Sequence, residues 1–175
     1  MKKPSSYFLI VILVFGIACQ NSVTTNNPYC VLTKSDSLTV IKKVLEITDD
    51  FAEANNKFDY ERLVECWAYD HPNFIAIENL DLIKPDGLYE RVKTFYTNTE
   101  LETTNLEWKK REIIPLSKSS AHMYGEYEIF FKYKNKEGVK LYDEGIYYVN
   151  YSALITETDG IWKVIRFHES YKKVD

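Results

Sequence analysis

The last apolar stretch of the chain, Ile161–Tyr171, holds the residues whose types and spacing best suit chemistry. Aromatic and β-branched residues dominate it, which is typical of a strand. Since successive side chains of a strand point to opposite faces, alternate residues should share one face. That predicted face carries Trp162, Val164, Arg166, His168 and Ser170. Because it runs from apolar to polar, it favours a pocket with an apolar floor and an imidazole, a guanidinium and a hydroxyl at its mouth.

Two of these side chains each allow two interpretations. His168 suits a general base or an orienting donor, because an imidazole exchanges protons near neutral pH. It equally suits a structural histidine hydrogen-bonded at the rim, to Ser170 or Tyr171. Arg166 could clamp a carboxylate with two hydrogen bonds, or form an ion pair with one of the chain's many acids.

The other predicted face of the same strand indicates a partner surface. It carries Ile161, Lys163, Ile165, Phe167 and Glu169. Three of these five side chains are apolar, and an apolar outer face favours contact with another protein or a second copy of the chain.

The chain is rich in aromatic residues, with 14 Tyr, 9 Phe and 3 Trp, and many lie between residues 121 and 156. One interpretation is a core plus a dimer face. The other is a pocket whose tyrosines stack on a flat ligand and hydrogen-bond to it, with Tyr124 and Tyr127 as candidates. Alternation sends some of these rings to each face, so both interpretations stay open.

Two helices are predicted ahead of the first strand. Ser35 or Asp36 is a candidate N-cap, and apolar residues keep helical spacing from there to about Ala54. Asp59 can cap a second helix, which should end before Pro72 because proline disfavours helix in the preceding residue. In this helix Cys66 is predicted to be a small core residue.

The remaining elements predict an α+β fold. A short strand over Phe74–Glu78 leads to a turn at Lys84–Gly87 and a third helix that ends near Thr99. Helices followed by a run of strands imply an antiparallel sheet with helices on one face. Four long strands are predicted, at Leu101–Leu116, Ala121–Tyr133, Val139–Thr156 and Ile161–Tyr171, the last two joined by an Asp159-Gly160 hairpin turn.

This order of elements resembles the NTF2-like superfamily, specifically its SnoaL-like and DUF4440-like bacterial branch. The segment DGIWKV at 159–164, followed by His168 and Ser170, is similar to the closing strand of that family. The segments DYERL at 59–63 and DHPNF at 70–74 are similar to its second helix and the approach to its first strand, with Asn73 in place of the usual acid. The resemblance covers residues 36–172.

The resemblance implies a cone, in which three helices pack on a curved antiparallel sheet around one apolar pocket, and members are often dimers through the outer sheet face. In ketosteroid-isomerase-like relatives a carboxylate after the first strand removes a proton next to a carbonyl, and Glu78 corresponds to it. The tyrosine that stabilises the enolate in those relatives corresponds here to Phe51, which has no donor. Glu78 could instead be a solvated acid at a strand end.

The N-terminus predicts export. Lys2 and Lys3 precede an apolar run, Tyr7–Ala18, that ends on small residues directly before Cys19. This order is typical of a secretory signal peptide, and the cysteine after it indicates a bacterial lipoprotein acylated on Cys19. The predicted organisation is a signal peptide over 1–18, a flexible tether over 19–35 and an NTF2-like domain over 36–173.

Charge and cysteine content exclude several classes of function. A formal net charge of −4 without a Lys/Arg cluster argues against nucleic acid and against electrostatic docking on anionic lipid. The sequence has no CxxC motif and no Cys/His metal spacing, so no metal and no cofactor are predicted. Whether Cys30 and Cys66 form a disulfide stays open, because sequence alone cannot place them within bonding distance.

The resulting functional hypothesis is an exported, lipid-anchored domain in the bacterial cell envelope that faces the periplasm or the exterior. It would bind a small hydrophobic or aromatic ligand, or a protein partner, with a homodimer through the outer sheet face as one form of partner. The alternative is a metal-independent SnoaL-like enzyme that performs proton transfer, dehydration or hydrolysis with His168 and Glu78.

Overall fold

The computed structural model describes residues 32–98, 100–134 and 142–174. The predicted signal peptide, Cys19 and Cys30 lie outside the described residues. The elements form an α+β fold. The helices are α1 (Lys34–Asn56), α2 (Tyr60–Glu65) and α3 (Pro85–Tyr96), and the strands are β1 (Ile75–Glu78), β2 (Asp81–Ile83), β3 (Leu101–Ser117), β4 (Ser120–Tyr133), β5 (Gly145–Thr158) and β6 (Ile161–Lys173).

The six strands form one curved sheet in the order β2-β1-β6-β5-β4-β3. Strands β3 to β6 pair antiparallel with their neighbours, as the sequence predicts. The prediction of a purely antiparallel sheet is wrong, because β1 pairs with β6 in parallel. A parallel pair needs a long connection instead of a hairpin, and here that connection contains α3 and four strands.

Helix α1 begins at a capping box formed by Thr33 and Asp36. The Asp36 N–H donates to the Thr33 hydroxyl at 3.1 Å, and the Thr33 N–H donates back to the Asp36 carboxylate at 3.2 Å. The helix therefore begins at Lys34, within the predicted tether, and the predicted cap at Ser35 or Asp36 is wrong by two or three residues. Its buried face, which includes Val44 and Phe51, packs against the sheet.

Helix α3 begins where the sequence predicts a turn. Pro85 occupies its first turn, where a missing backbone N–H costs nothing, so the Lys84–Gly87 segment is a helix start instead of a free turn. The strand β2 is absent from the sequence prediction, because its central Leu82 is 70% exposed and gives no burial pattern.

A buried polar junction ties α1 and α3 to the sheet. The Asn55 side-chain amide donates to the Tyr96 hydroxyl at 2.5 Å, and its carbonyl oxygen accepts from the Thr104 hydroxyl at 2.8 Å. Asn55 and Thr104 are each 3% exposed, so the two bonds satisfy groups that water does not reach. The junction fixes the two long helices against β3.

A β-bulge interrupts β6 at Ile165. Ile155 of β5 pairs with Val164 and the adjacent Leu154 pairs with Arg166, so Ile165 is an extra residue with no partner. A bulge adds one residue to one strand and reverses the alternation of faces beyond it. Val164 and Ile165 are consequently both buried, although they are neighbours in sequence.

Candidate functional site

A small cavity lies between the helices and the inner face of the sheet. Its volume is about 70 Å³. Aromatic rings make up much of its lining, including Phe95 of α3, Phe131 of β4 and Phe167 of β6. Trp67 also lines it, and the buried indole N–H of Trp67 has no hydrogen-bond acceptor in the described part of the chain.

Two carboxylates lie side by side on this wall. Glu78 is the last residue of β1, and the parallel ladder places it opposite Glu169 of β6. Partners in a ladder point to the same face, so both side chains point into the cavity, which both of them line. They are 7% and 6% exposed. Two acids this well buried need hydrogen bonds or counter-charges, because desolvation penalises their ionised forms.

Glu169 is held by two phenols. The Tyr127 hydroxyl donates to one carboxylate oxygen and the Tyr171 hydroxyl to the other, each at 2.8 Å. Burial raises the pKa of Glu169 to about 7, and the negative charge of Glu78 adds to that effect, whereas the two phenolic hydrogen bonds oppose it. Glu169 can therefore accept or give a proton near neutral pH.

Glu78 is held by a cation and a phenol. The Arg91 guanidinium lies 2.9 Å from one of its oxygens, and the Tyr142 hydroxyl donates to the other. Burial raises the pKa of Glu78, and the positive charge of Arg91 acts against that shift. The two acids thus have different surroundings, which is how paired carboxylates acquire separate roles.

Sequence comparison finds no matching protein-family model and no matching curated protein. Solved structures do match. A provisionally named scytalone dehydratase of Novosphingobium aromaticivorans is 15% identical, with a TM-score of 0.67 over 80% of this chain and 89% of that one.

Two further solved structures are similar to this chain. An NTF2-like protein of unknown function from Shewanella oneidensis is 19% identical, with a TM-score of 0.60 over 75% of this chain and 98% of that one. A hexachlorocyclohexane dehydrochlorinase of Novosphingobium barchaimii is 12% identical, with a TM-score of 0.59 over 81% and 94%. The chain has the NTF2-like fold. The resemblance drawn from the closing strand is confirmed at the level of the fold.

The NTF2-like domain does not place the polar residues of β6 where alternation predicts. Beyond the bulge Arg166, His168 and Ser170 lie on the outer face of the sheet, whereas Phe167, Glu169 and Tyr171 line the cavity. The predicted face is right only ahead of the bulge. There Trp162 and Val164 point to the helix side, and Trp162 lies beside Ile47 and Asp50 of α1, outside the cavity.

On the outer face these side chains make ordinary surface contacts. His168 Nε2 lies 3.3 Å from the Ser170 hydroxyl, which is the contact expected of a structural histidine. The Arg166 guanidinium donates to the backbone carbonyl of Asn73 at 3.3 Å. Tyr124 is on the same outer face and is 52% exposed, so of the two candidate tyrosines Tyr127 alone lines the cavity.

The structure brings Glu78 and Tyr127 together and leaves His168 apart from both. The β1–β6 ladder pairs His168 with Ile77, which precedes Glu78 and points to the opposite face. The hypothesis that His168 and Glu78 act as one acid–base pair is therefore wrong. The alternative of a solvated Glu78 is also wrong, because that side chain is buried.

Two of the apolar side chains predicted for the outer face of β6 are buried. Ile165 and Phe167 are 7% and 4% exposed, and Ile161 remains at the surface. The same bulge explains this correction, because it turns Phe167 inward.

Sequence reasoning found Tyr127 but missed Arg91, Tyr142 and Tyr171, the other residues that hold the carboxylates. Arg91 lies on α3 and Tyr142 lies between strands, so no local spacing connects either of them to Glu78. The inward orientation of Glu169 and Tyr171 could have been predicted from the sequence. The adjacent apolar pair Val164-Ile165 marks a break in alternation, and beyond it the apolar and aromatic residues fall on the odd positions with Glu169.

Other candidate sites in the NTF2-like domain are few. Among the described residues, no three His, Cys, Asp or Glu side chains are placed to hold a metal ion. Cys66 has no disulfide partner among the described residues; its thiol is buried, and burial raises its pKa to about 12, which fits the core role predicted for it. Within the same ranges, no helix combines the length and the apolar composition that crossing a bilayer requires.

Proposed function

We propose that this NTF2-like domain binds a small, mostly aromatic molecule in its cavity, in a protein exported and anchored through a lipid on Cys19. The observation that carries the binding proposal is the pair of buried carboxylates in an aromatic cavity. Ligand sites are apolar enclosures with a few fixed polar groups, and this cavity has that composition.

Ligand binding is tested by native mass spectrometry and thermal shift on the purified protein with a panel of small aromatic molecules. A bound mass and a raised unfolding temperature are expected. Ile129→Trp fills the cavity wall and should abolish the shift, whereas Ile114→Trp on the outer face should retain it. Identical shifts in both variants would overturn the proposal.

A second candidate is an enzyme of proton transfer, favoured by the near-neutral pKa of Glu169. Two of the similar structures bear the names of a dehydratase and a dehydrochlorinase, whose reactions remove a proton and a leaving group. In this chain the ionised Glu169 would accept the proton, and its two phenols would orient it. This role replaces the one that the sequence suggested for His168.

The ring opening of 5-nitrobenzisoxazole tests the enzyme candidate, because this flat aromatic needs only a base. The base takes the proton on carbon, the N–O bond breaks, and a phenolate nitrile forms. The wild type should accelerate it, with a pH dependence centred near the pKa of Glu169, and Glu169→Gln should lose about 10²-fold or more. A rate equal to that of free carboxylate in solution would reject catalysis, and His168→Asn serves as the control.

The lipid anchor is tested at the N-terminus. The mass of the mature protein should correspond to cleavage before Cys19 plus three acyl chains or two, and Cys19→Ala should release the protein from the membrane fraction. An unmodified N-terminus in the wild type would reject the anchor. If the anchor is correct, the domain faces the periplasm or the exterior.

The outer sheet face supports the proposal of a homodimer, formed through apolar residues of other strands than β6. Exposed apolar side chains lie there at Ile114, Leu116, Tyr124 and Ile146, between 43% and 55% exposed. Light scattering on the purified protein should give a dimer mass, and Ile114→Lys should reduce it to that of a monomer. A monomer in the wild type would reject the proposal.

A further inference from the structure

Tyr142 fills the cavity as a bound aromatic molecule would. Its ring stacks on Phe131 with centroids 5.2 Å apart and an angle of 7°, and on Tyr171 at 5.2 Å and 29°. Phe95 and Tyr147 meet it edge-on, at 5.9 Å each. Stacked rings over the faces and edge contacts around them are the arrangement that aromatic sites use to hold a flat ligand.

The hydroxyl of Tyr142 has the contact that would define a ligand's polar end. It donates to one oxygen of the buried Glu78, while Arg91 holds the other oxygen at 2.9 Å. A hydrogen bond from a neutral hydroxyl to an ionised carboxylate is stronger than one between neutral groups. The cavity therefore offers stacking surfaces for a ring and, at one edge of that ring, an acceptor for a single O–H.

Tyr142 differs from the other rings that surround it in its place on the chain. Among the described residues that line the cavity, it alone belongs to no helix, strand or bridge. It is half-buried, and its backbone carbonyl accepts from the Tyr133 hydroxyl at 3.0 Å. Its backbone can therefore move, and carry the ring out of the cavity, without breaking a ladder hydrogen bond, whereas the backbones of Phe131 and Tyr171 belong to the ladders.

The remaining space is too small for a second ring beside Tyr142. An apolar cavity of about 150 Å³ binds one benzene molecule, and this cavity has about half that volume, about 70 Å³. A ligand with an aromatic ring must therefore take the place of the Tyr142 ring.

We infer that the ligand of this cavity is a phenol, a single aromatic ring with a hydroxyl donor, and that Tyr142 occupies its place in the free protein. The inference rests on the proposed ligand-binding function and names the ligand class for the same site. The phenol ring stacks between Phe131 and Tyr171, and its hydroxyl donates to Glu78.

The test replaces the internal ring by a free one. Tyr142→Ala removes the hydroxyphenyl group and keeps Cβ. The tyrosine side chain counted from Cβ has the atoms of 4-methylphenol, so that compound is the probe, and toluene is the probe of nearly equal shape without a hydroxyl. Calorimetry should show that the variant binds 4-methylphenol at least about tenfold more tightly than toluene. Wild-type protein should bind 4-methylphenol at least about tenfold more weakly than the variant, because Tyr142 competes.

Two control variants test whether Glu78 causes the preference for 4-methylphenol over toluene. The double variant Tyr142→Ala/Glu78→Gln should lose most of the discrimination, because an amide is a weaker acceptor than a carboxylate. Tyr147→Ala opens a space of the same kind in the same aromatic cluster, but the Tyr147 hydroxyl donates to the backbone carbonyl of Asp143. That variant should show no tenfold preference for the phenol.

The outcomes separate this inference from the ligand-binding function. Equal affinity for toluene and 4-methylphenol in folded Tyr142→Ala would overturn the phenol assignment and leave an apolar ligand site. No binding of either compound by folded variant and wild type would overturn both. If Tyr142→Ala fails to fold, Tyr142→Phe takes its place, and it should bind 4-methylphenol more tightly than the wild type does; equal binding would overturn the inference.

Discussion

The inward-facing and outward-facing residues of β6 differ most in their surroundings. Phe167, Glu169 and Tyr171 line the cavity, and Arg166, His168 and Ser170, interleaved with them, face outward. The outer set holds the residue types usually associated with catalysis. The inner set holds the carboxyl whose pKa burial raises to about 7.

The difference shows that burial in the cavity, and not residue type, gives Glu169 its raised pKa. A histidine at the surface makes one 3.3 Å contact to a serine, while a glutamate in the cavity interacts with two phenols and a second carboxylate. Variants matched across the two faces test this contrast directly.

The largest effect is expected from Arg91→Met. It leaves the buried Glu78 without its cation. Breaking a fully buried ion pair costs about 3–5 kcal/mol of unfolding free energy, and because the Arg91 side chain is 34% exposed and partly screened by water, we expect the lower end of that range. Urea unfolding at pH 8 should show this loss, and at pH 5 the loss should shrink because Glu78 takes up a proton. Arg166→Met on the outer face should change stability by less than about 0.5 kcal/mol. Equal losses for both variants would contradict the contrast.

Glu169→Gln should stabilise the protein at high pH. The folded-state pKa of about 7 exceeds the ordinary 4.5, so the folded state keeps a proton that the unfolded state loses between those values. Wild-type stability should therefore fall as pH rises from about 4.5 to about 7, by about 3 kcal/mol at most. The variant cannot ionise and should be the more stable protein at pH 8, with little difference near pH 4.5.

The control for this pH dependence is Glu112→Gln, whose side chain is exposed on the outer face. Its stability should follow that of the wild type at every pH. A parallel pH dependence of the wild type and Glu169→Gln would show that the pKa of Glu169 is the same in the folded and unfolded states.

Tyr171→Phe should have a smaller effect of about 1 kcal/mol, because it removes one hydroxyl donor from Glu169. That hydrogen bond lowers the pKa of Glu169, so its loss should move the pH midpoint of stability upward. The exposed Tyr124→Phe is the matched control and should change neither quantity. An unchanged midpoint in Tyr171→Phe would mean that Tyr127 alone sets the hydrogen bonding of the carboxyl.

The smallest effect is expected from His168→Asn, within about 0.5 kcal/mol in urea unfolding. Binding of aromatic probes should be unaltered, because His168 faces away from the cavity. A loss of binding in this variant, with stability retained, would return the functional site to the outer face.

Much of the fold could be predicted from local patterns. Helical spacing of apolar residues located α1, and aromatic and β-branched runs located β3, β4 and β6 within a few residues. The strand predicted from Val139 begins at Gly145 as β5. The turn at Asp159-Gly160 was recognisable because both residues adopt the positive φ that this hairpin type requires, at 54° and 81°. These features depend on neighbours in sequence.

The candidate site depends on contacts between residues that are far apart in the sequence, and local sequence patterns do not reveal such contacts. Glu78 was proposed because it corresponds to the carboxylate after the first strand of ketosteroid-isomerase-like relatives, but the groups that hold it, Arg91 and Tyr142, are distant in sequence. The parallel pairing of β1 with β6, which brings Glu78 to Glu169, cannot be read from alternation within either strand. The bulge at Ile165 did have a signal in the adjacent Val164-Ile165, but two apolar neighbours also occur in regular strands.

The bulge at Ile165 determines how this chain should be aligned with distant relatives. A relative with a regular closing strand has one residue fewer there, so a correct alignment opens a one-residue gap at Ile165. Without that gap the columns beyond it are displaced by one, and His168 is equated with an inward-facing residue of the relative. Transfer of residue roles along β6 is therefore sound only when the gap is placed from the ladder register, because identity between the sequences is too low to place it.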